Sequence, residues 1–436
     1  MAEVRPFQGV HYNQELLTHW EDVICPVYDI INPQQQAELY SRSDDNFVRL
    51  EFGRELPQDT NSDNKYTRAA ATLEQWLQQG VMTADKTPAI YIHDHYFTHG
   101  GKEYKRHGLI VRVRLEEWDK MVIRPHEGTM TKPKADRLNL LWTLQANTSS
   151  ILALFEDRGK QITSLLATEE RSKPLLNLKK ADGEGHRVWA LTDPGVVGQI
   201  QTHLAEQPLY IADGHHRYES ALAYQRQRLD CSPSTSREEG FNFVMMTIID
   251  FTDPGLLILP PHRLVRGIAK EAVDTLMPKL KVFFDIEELL LNAPNVWEQV
   301  DKRLNKTDGV RLVVCGLTAG RLFLLWLRDQ AAVNSMMPYF HSDLYKSLDV
   351  SVLDHVVLEK LLGLGDNKEG QFLGFTYDRQ DAVNRISAQE YQLAFLIRPI
   401  KAETIKAIAD VRDRMPKKST YFYPKPPAGL IINRLI

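Results

Sequence analysis

Four apolar residues, Leu209-Tyr210-Ile211-Ala212, run straight into Asp213-Gly214-His215-His216-Arg217. A helical pattern follows at once, with Tyr218, Ala221, Leu222 and Gln225 on one side. A short apolar run joined without a spacer to an amphipathic segment reads as a strand feeding a helix. This junction constrains the chain more than any other feature, because the strand needs a sheet around it and the helix needs that sheet to cover. A helix start also leaves backbone N–H groups unpaired and carries a partial positive charge, which suits an anion. Gly214 has no Cβ to keep a phosphate away, and Arg217 offers a planar donor fork. His215 and His216 are further donors, and Asp213 supplies a carboxylate for a metal ion or a hydroxyl proton. The structural alternative is a turn with chance polar residues, but four ionisable groups in five positions are hard to motivate that way.

The chain has 436 residues, more than one hydrophobic core usually serves. Two α+β lobes are expected, residues 1–230 carrying the turn and residues 241–436 forming a second lobe whose basic tail returns to the site. Between them, Cys231 to Gly240 is polar and aperiodic, as a linker is. Lysine and arginine total 53 against 57 acidic residues, and this balance argues against sequence-independent nucleic-acid binding. Three distant cysteines without a CxxC pair, no apolar run of membrane length and no apolar stretch near Met1 predict a reduced, cytoplasmic protein. Oligomeric state is not legible.

Elsewhere, Val23 to Ile31 predicts a strand and turn, and Leu73, Trp76 and Leu77 follow helical spacing up to Gly80. Ile90 to Phe97 and Tyr104 to Leu115 predict a hairpin across His99-Gly100-Gly101. Val122 to Arg124 leads into His126 and Glu127 in a loop, a usual place for functional groups. A helix then begins at Thr131 or Lys132, with Lys134 and Arg137 close together near its start. Cations there oppose the helix dipole, so they suggest an anion, although solvated surface charge explains them as well. In the second half, strands are expected at 241–249, 256–259, 311–315, 322–326 and 394–397, with a helix through Val352, His355, Val356, Glu359 and Leu362. Lys417, Lys418, Ser419 and Thr420 lie in an extended tail and are candidates to close over a phosphate. His93 and His95 share a strand face near His99 and His107, but no third metal ligand can be assigned to them. Asp182 to Arg187 echoes the main motif and reads better as a hairpin turn.

The motifs Arg124-Pro125-His126-Glu127, Lys134-Ala135-Asp136-Arg137, Asp213 to Tyr218 and Met415-Pro416-Lys417-Lys418-Ser419-Thr420 resemble a bacterial and archaeal family, domain of unknown function 1015. The resemblance runs from Arg5-Pro6-Phe7 to the C-terminal segment. The Asp213 to Arg217 core is also similar to the phosphate-binding motif of the ParB/sulfiredoxin-like superfamily, over one strand and one helical turn. That resemblance implies a ParB/sulfiredoxin-like core within a larger mixed sheet, with Gly214, His215, His216 and Arg217 as phosphate contacts. Sulfiredoxin has its cysteine where this chain has His215, and the segregation clamps add a helix-turn-helix not seen here. Free-serine kinases fit Asp213 to Arg217 best. The resemblance therefore implies a small-molecule kinase using ATP, ADP or pyrophosphate with Mg2+. Asp213, His215 and Glu127 would be catalytic, with Asp213 also on the metal. His126, Lys134, Arg137, Lys418, Ser419 and Thr420 would join the phosphate contacts. A non-catalytic nucleotide-binding regulator and a phosphate-ester hydrolase use the same charge clamps.

Overall fold

Every residue of Phe243–Asp250 is buried, which a strand achieves only when both faces of its sheet are covered. In the computed structural model this strand lies near the middle of a mixed sheet. The structure describes residues 1–436 apart from 17–18, 170–172, 181–182, 233–234, 307–308 and 366–369. Parts of the 231–240 linker and of the expected turn at 182–187 therefore lie outside the described residues.

Among those residues, nine strands build the sheet: β1 (Val4–Arg5), β2 (Ile90–His99), β3 (Lys102–Arg114), β4 (Ile123–Arg124), β5 (Ile151–Phe155), β6 (Leu176–Lys179), β7 (Gly185–Leu191), β8 (Leu209–Asp213) and β9 (Phe243–Asp250). Their order is β4-β8-β5-β9-β3-β2-β7-β6, with β1 beside β3. β9 is antiparallel to β3 and parallel to β5. Four helices matter for the site: α1 (Lys65–Gln78), α2 (Thr131–Leu144), α3 (Pro194–Leu204) and α4 (His215–Cys231). Strand side chains alternate between faces. Ile90, Ile92, Leu109, Val111 and Val113 enter one core with Tyr218, Ala221 and Leu222 of α4. Tyr91 and Ile110 enter a second core with Ala69, Leu73 and Trp76 of α1. A smaller sheet places the C-terminal strand Ile432–Arg434 between Gly9–Tyr12 and Ala146–Asn147. Largely antiparallel sheets with helices laid against them make an α+β fold.

The chain divides into two units. The first comprises Met1–Pro125, Thr129–Leu257 and Phe422–Ile436, and the second His126–Gly128 and Ile258–Tyr421. The division differs from the expected break at 231–240, because β9 beyond that linker still pairs inside the first unit's sheet. In the second unit, β10 (His262–Val265), β11 (Phe284–Leu290), β12 (Arg311–Cys315), β13 (Arg321–Leu327), β14 (Leu373–Thr376) and β15 (Leu393–Leu396) form an antiparallel sheet. Its order is β11-β13-β12-β15-β10-β14.

Two local expectations differ. Val23 to Ile31 is not a strand: it holds the short 3-10 turn Tyr28–Ile30 and a single bridge at Cys25, since Pro26 has no N–H to continue a ladder. The expected helix at 352–362 exists, but Val352–Leu361 is a π-helix, wider than the spacing of its apolar residues suggests. Leu362 N–H reaches back to Val357 O at 3.0 Å.

Candidate functional site

β8 slips register against β5 between Ile211 and Asp213, and such an irregularity re-aims the side chain that ends a strand. Gly214 follows with φ 95°, and it caps α4 without any side-chain hydrogen bond. A Cβ on Gly214 would lie 2.9 Å from Arg217 Nε and 3.0 Å from its Cζ, so the guanidinium is folded directly over the glycine. Arg217 Nη2 donates to Asp213 Oδ2 at 2.6 Å, and Nη1 donates to the Ser150 carbonyl. Its Nε–H is buried and has no hydrogen-bond partner. A buried unpaired donor costs about 1–3 kcal/mol, so Arg217 Nε–H is a donor that an acceptor would stabilise.

Lys425, from the C-terminal segment of the same unit, sits on the other side of Asp213. Its Nζ is 2.8 Å from Asp213 Oδ1 and also pairs with Asp29 Oδ2. Burial alone would push the Asp213 carboxyl up, but Lys425 and Arg217 outweigh it and hold the group well below the usual range. Burial likewise works against the Lys425 ammonium, and Asp213 and Asp29 keep it charged. Sequence reasoning missed Lys425, Asp29 and Ser150 as neighbours of the turn. The only available signal was a lysine set among prolines and aromatics in an extended tail.

The other first-unit residues are distributed around this core. Nε2 of His216 accepts from Met130 N–H at 2.8 Å, so the ring holds the residue preceding α2. His215 is buried and acts electrostatically on Asp213. Lys134 pairs with Glu219 at 2.9 Å. Arg137 is committed: it donates to Asp136 Oδ2 at 2.6 and 3.0 Å and to Glu51 O at 2.9 Å, and it lies 4.1 Å from the Tyr28 ring centroid. Burial raises the Asp136 carboxyl, but Arg137 and Lys65 bring it down to about 2. Arg137 and Arg217 line one small cavity of about 30 Å³.

His126, Glu127, Lys418, Ser419 and Thr420 belong to the second unit, where they form their own network. His126 is fully buried and its Nε2 contacts Thr420 Oγ1 at 3.0 Å. Glu127 accepts from Lys418 N–H at 2.9 Å. Met415 N–H donates to His126 O at 2.8 Å, and Ser419 Oγ donates to Pro416 O at 2.5 Å. Two motifs nearly 300 residues apart in the chain thus meet.

The histidines of β2 acquire a partner the sequence reading had set aside. His186, directly opposite His95 in the ladder, bonds His93 through Nδ1 at 3.0 Å. Ligand atoms of His95, Glu184 and His186 lie within 4.8 Å of one another, a donor set known at zinc sites. The hydrogen bonding does not suit a metal, however. Arg106 Nη2 donates to His95 Nδ1 at 2.9 Å, so the proton of the neutral ring sits on Nε2, which points at Glu184 Oε1 at 2.8 Å. Metal-bound imidazole needs the reverse, a lone pair at the metal and an acceptor beyond the other nitrogen. Glu184 also pairs with Lys180 at 2.5 Å. His93, His95 and Glu184 are engaged in hydrogen bonds or ion pairs, while the buried His186 Nε2 lies 3.4 Å from Glu184 Oε1 without a hydrogen bond.

Comparison with known proteins places the chain as follows. No curated protein matches it. Among solved structures it is similar to a free serine kinase in complex with AMP, at 13% identity over 72% of this chain and 86% of that one, with a TM-score of 0.35. A conserved hypothetical protein from Pyrococcus furiosus matches at 12% identity over 75% and 95% of the two chains, with a TM-score of 0.36. C-terminally truncated SbnI from Staphylococcus aureus matches at 11% identity over 74% and 87%, also with a TM-score of 0.36. Likenesses this weak carry no argument about activity. The profile of one family, proteins of unknown function DUF1015, covers residues 4–351, leaving the 415–420 motif outside it. With most of its length inside that profile, including the Asp213–Arg217 turn, the chain belongs to the DUF1015 family.

Proposed function

We propose that this protein is a phosphotransferase that holds donor phosphates at the Asp213–Arg217 turn and passes a phosphoryl group to the hydroxyl of a small metabolite. Serine or a similar amino acid is the first acceptor to try, and ATP, ADP or pyrophosphate the donor. The strand, turn and helix concerned are the part that resembles the ParB/sulfiredoxin-like motif. The observation that carries this reading is the Arg217 guanidinium laid over an uncapped, left-handed Gly214, with its Nε–H buried and unpaired. A phosphate oxygen there would satisfy Nε–H and the first N–H groups of α4 together.

Phosphoryl transfer needs positioning and charge neutralisation more than covalent help. The acceptor oxygen bonds to the terminal phosphorus, the bond to the donor's bridging oxygen breaks, and the hydroxyl proton passes to Asp213 or to water. Arg217, Lys425 and the helix end neutralise the developing charge. Both Asp213 oxygens are already paired with cations, so Mg2+ would enter on the donor's phosphates and would reach Asp213 only by displacing Lys425. The same pairing favours a second reading, a nucleotide-binding regulator in which Asp213 is structural.

The test is the melting temperature of the full chain against ATP, ADP, pyrophosphate and phosphate, with and without Mg2+. Donor at 100 times its Kd is expected to add about 2.7 kcal/mol, and Arg217→Ala is expected to abolish the shift. If Asp213→Asn keeps binding and loses turnover, the phosphotransferase stands; if no phosphate compound stabilises the protein, both readings fall and the turn is structural.

A further inference from the structure

The second unit contains a cavity of about 450 Å³, within the range of small-molecule sites. His341, Tyr345, His355, Glu359, Phe375 and Lys417 are among the residues that line it. We propose that this cavity binds a small organic anion with a flat, hydroxyl-bearing body, its hydroxyl donating to His341 Nε2 and its charge paired with Lys417.

The imidazole is oriented for that task. His341 Nδ1 bonds Asp413 Oδ1 at 2.6 Å. Asp413 also accepts from the Ser342 amide at 2.8 Å, the Ser342 hydroxyl at 2.7 Å and the Arg414 amide at 2.7 Å. A carboxylate with this many donors stays anionic, so the proton of the neutral ring is on Nδ1 and Nε2 presents a lone pair. Among the described residues Nε2 has no hydrogen-bond partner. This arrangement of a hydrogen-bonded carboxylate behind a histidine is the one that turns an imidazole lone pair outward toward a substrate proton.

The ring is also held rigidly. It stacks on Tyr345 with centroids 3.6 Å apart and planes 3° from parallel, and Phe340 packs against it at 4.4 Å. Tyr345 is fixed in turn by a bond between its hydroxyl and His355 Nε2 at 2.8 Å, and His355 Nδ1 lies 3.2 Å from Glu359 Oε2. His355 and Glu359 ride on the π-helix Val352–Leu361, a rare conformation found frequently at functional sites.

Charge and shape define the occupant. Asp354 is held by Arg263 at 2.9 and 3.0 Å, Glu359 by Lys360 at 2.8 Å, and Asp413 by the donors above. Lys417 is exposed and has no ion-pair partner among the described residues, so the uncommitted charge around the cavity is positive. Phe340, Tyr345 and Phe375 give aromatic walls, which suit a flat body.

The test is calorimetric titration of the full chain with the three hydroxybenzoates, benzoate and phenyl phosphate. At least one hydroxybenzoate is expected to saturate, and benzoate to bind about tenfold more weakly for want of one hydrogen bond. His341→Gln should erase the difference between the two, and Lys417→Ala should weaken both by about tenfold. Phenyl phosphate tells whether the preferred head group is carboxylate or phosphate. A purely structural Asp413–His341 pair predicts no such dependence on the hydroxyl. Absence of saturable binding by every probe, or affinities unmoved by Lys417→Ala, overturns the proposal. Lys417 is exposed, so that variant keeps the fold even where a change at His341 does not.

Discussion

Lys425 shows how one residue alters the reading of a motif. Its ammonium stands between Asp29 and Asp213 in a position where a divalent cation would otherwise be attractive. Removing one partner of a buried ion pair costs about 3–5 kcal/mol, because the remaining charge is stranded. Lys425→Met is therefore expected to destabilise the first unit by about 3 kcal/mol, with Asp213→Asn recovering part of the loss in the double variant. Urea unfolding of the two single variants and the pair measures this. A loss below about 0.5 kcal/mol, the level of an exposed pair, would show that Lys425 is solvated in solution. Gly214 is the other decisive position. Its φ of 95° and the guanidinium above it leave no comfortable place for a side chain, which is why the turn needs glycine there.

At the scale of elements, the β2–β7 pair is built around neutral histidines. Burial, the largest effect, lowers His93, His95 and His186; at His93 and His95 a proton on His186 would add to it, as the Arg106 guanidinium does. A base whose folded value is depressed contributes stability that is complete above its unfolded value of about 6.5 and is lost as pH falls below it. The unfolded chain takes up protons there that the native hairpin refuses. The urea midpoint is thus expected to drop between pH 7.5 and 5.5, above the range in which carboxylates titrate. A midpoint that stays flat across that interval would mean the cluster admits protons without strain. His93 and His95 on one strand face were legible from a spacing of two. His186 was not, because which strand lies beside β2 is a property of the sheet order.

At the scale of the whole molecule, the chain's last residues return to its first unit. Ile432–Arg434 lies between strands from residues 9–12 and 146–147, and Phe422–Ile436 as a whole belongs to that unit. Deleting residues 422–436 removes an interior strand and Lys425 together. The truncated chain is expected to lose the cooperative unfolding transition of the first unit, seen by circular dichroism and by protease cleavage within 1–257. A truncated protein that melts like the full chain would show that this segment is only draped on the surface.

What the sequence determined by itself is local. Strand-like runs and the Gly100-Gly101 hairpin signal marked β2, β3 and β9, the 3.6-residue period marked α1, α2 and α4, and the abrupt apolar-to-polar change at Ala212-Asp213 marked the turn. Each of these signals lies within a few residues, where backbone periodicity and glycine's freedom act. Only the tertiary structure decided that Lys425 meets Asp213, that His126 meets Thr420, that Arg137 is buried on Asp136, and that His341 faces a cavity with its proton turned toward Asp413. Those outcomes depend on sheet order and on distances through space. Charge and hydrogen bonding follow such distances steeply, and nothing in residue spacing encodes them.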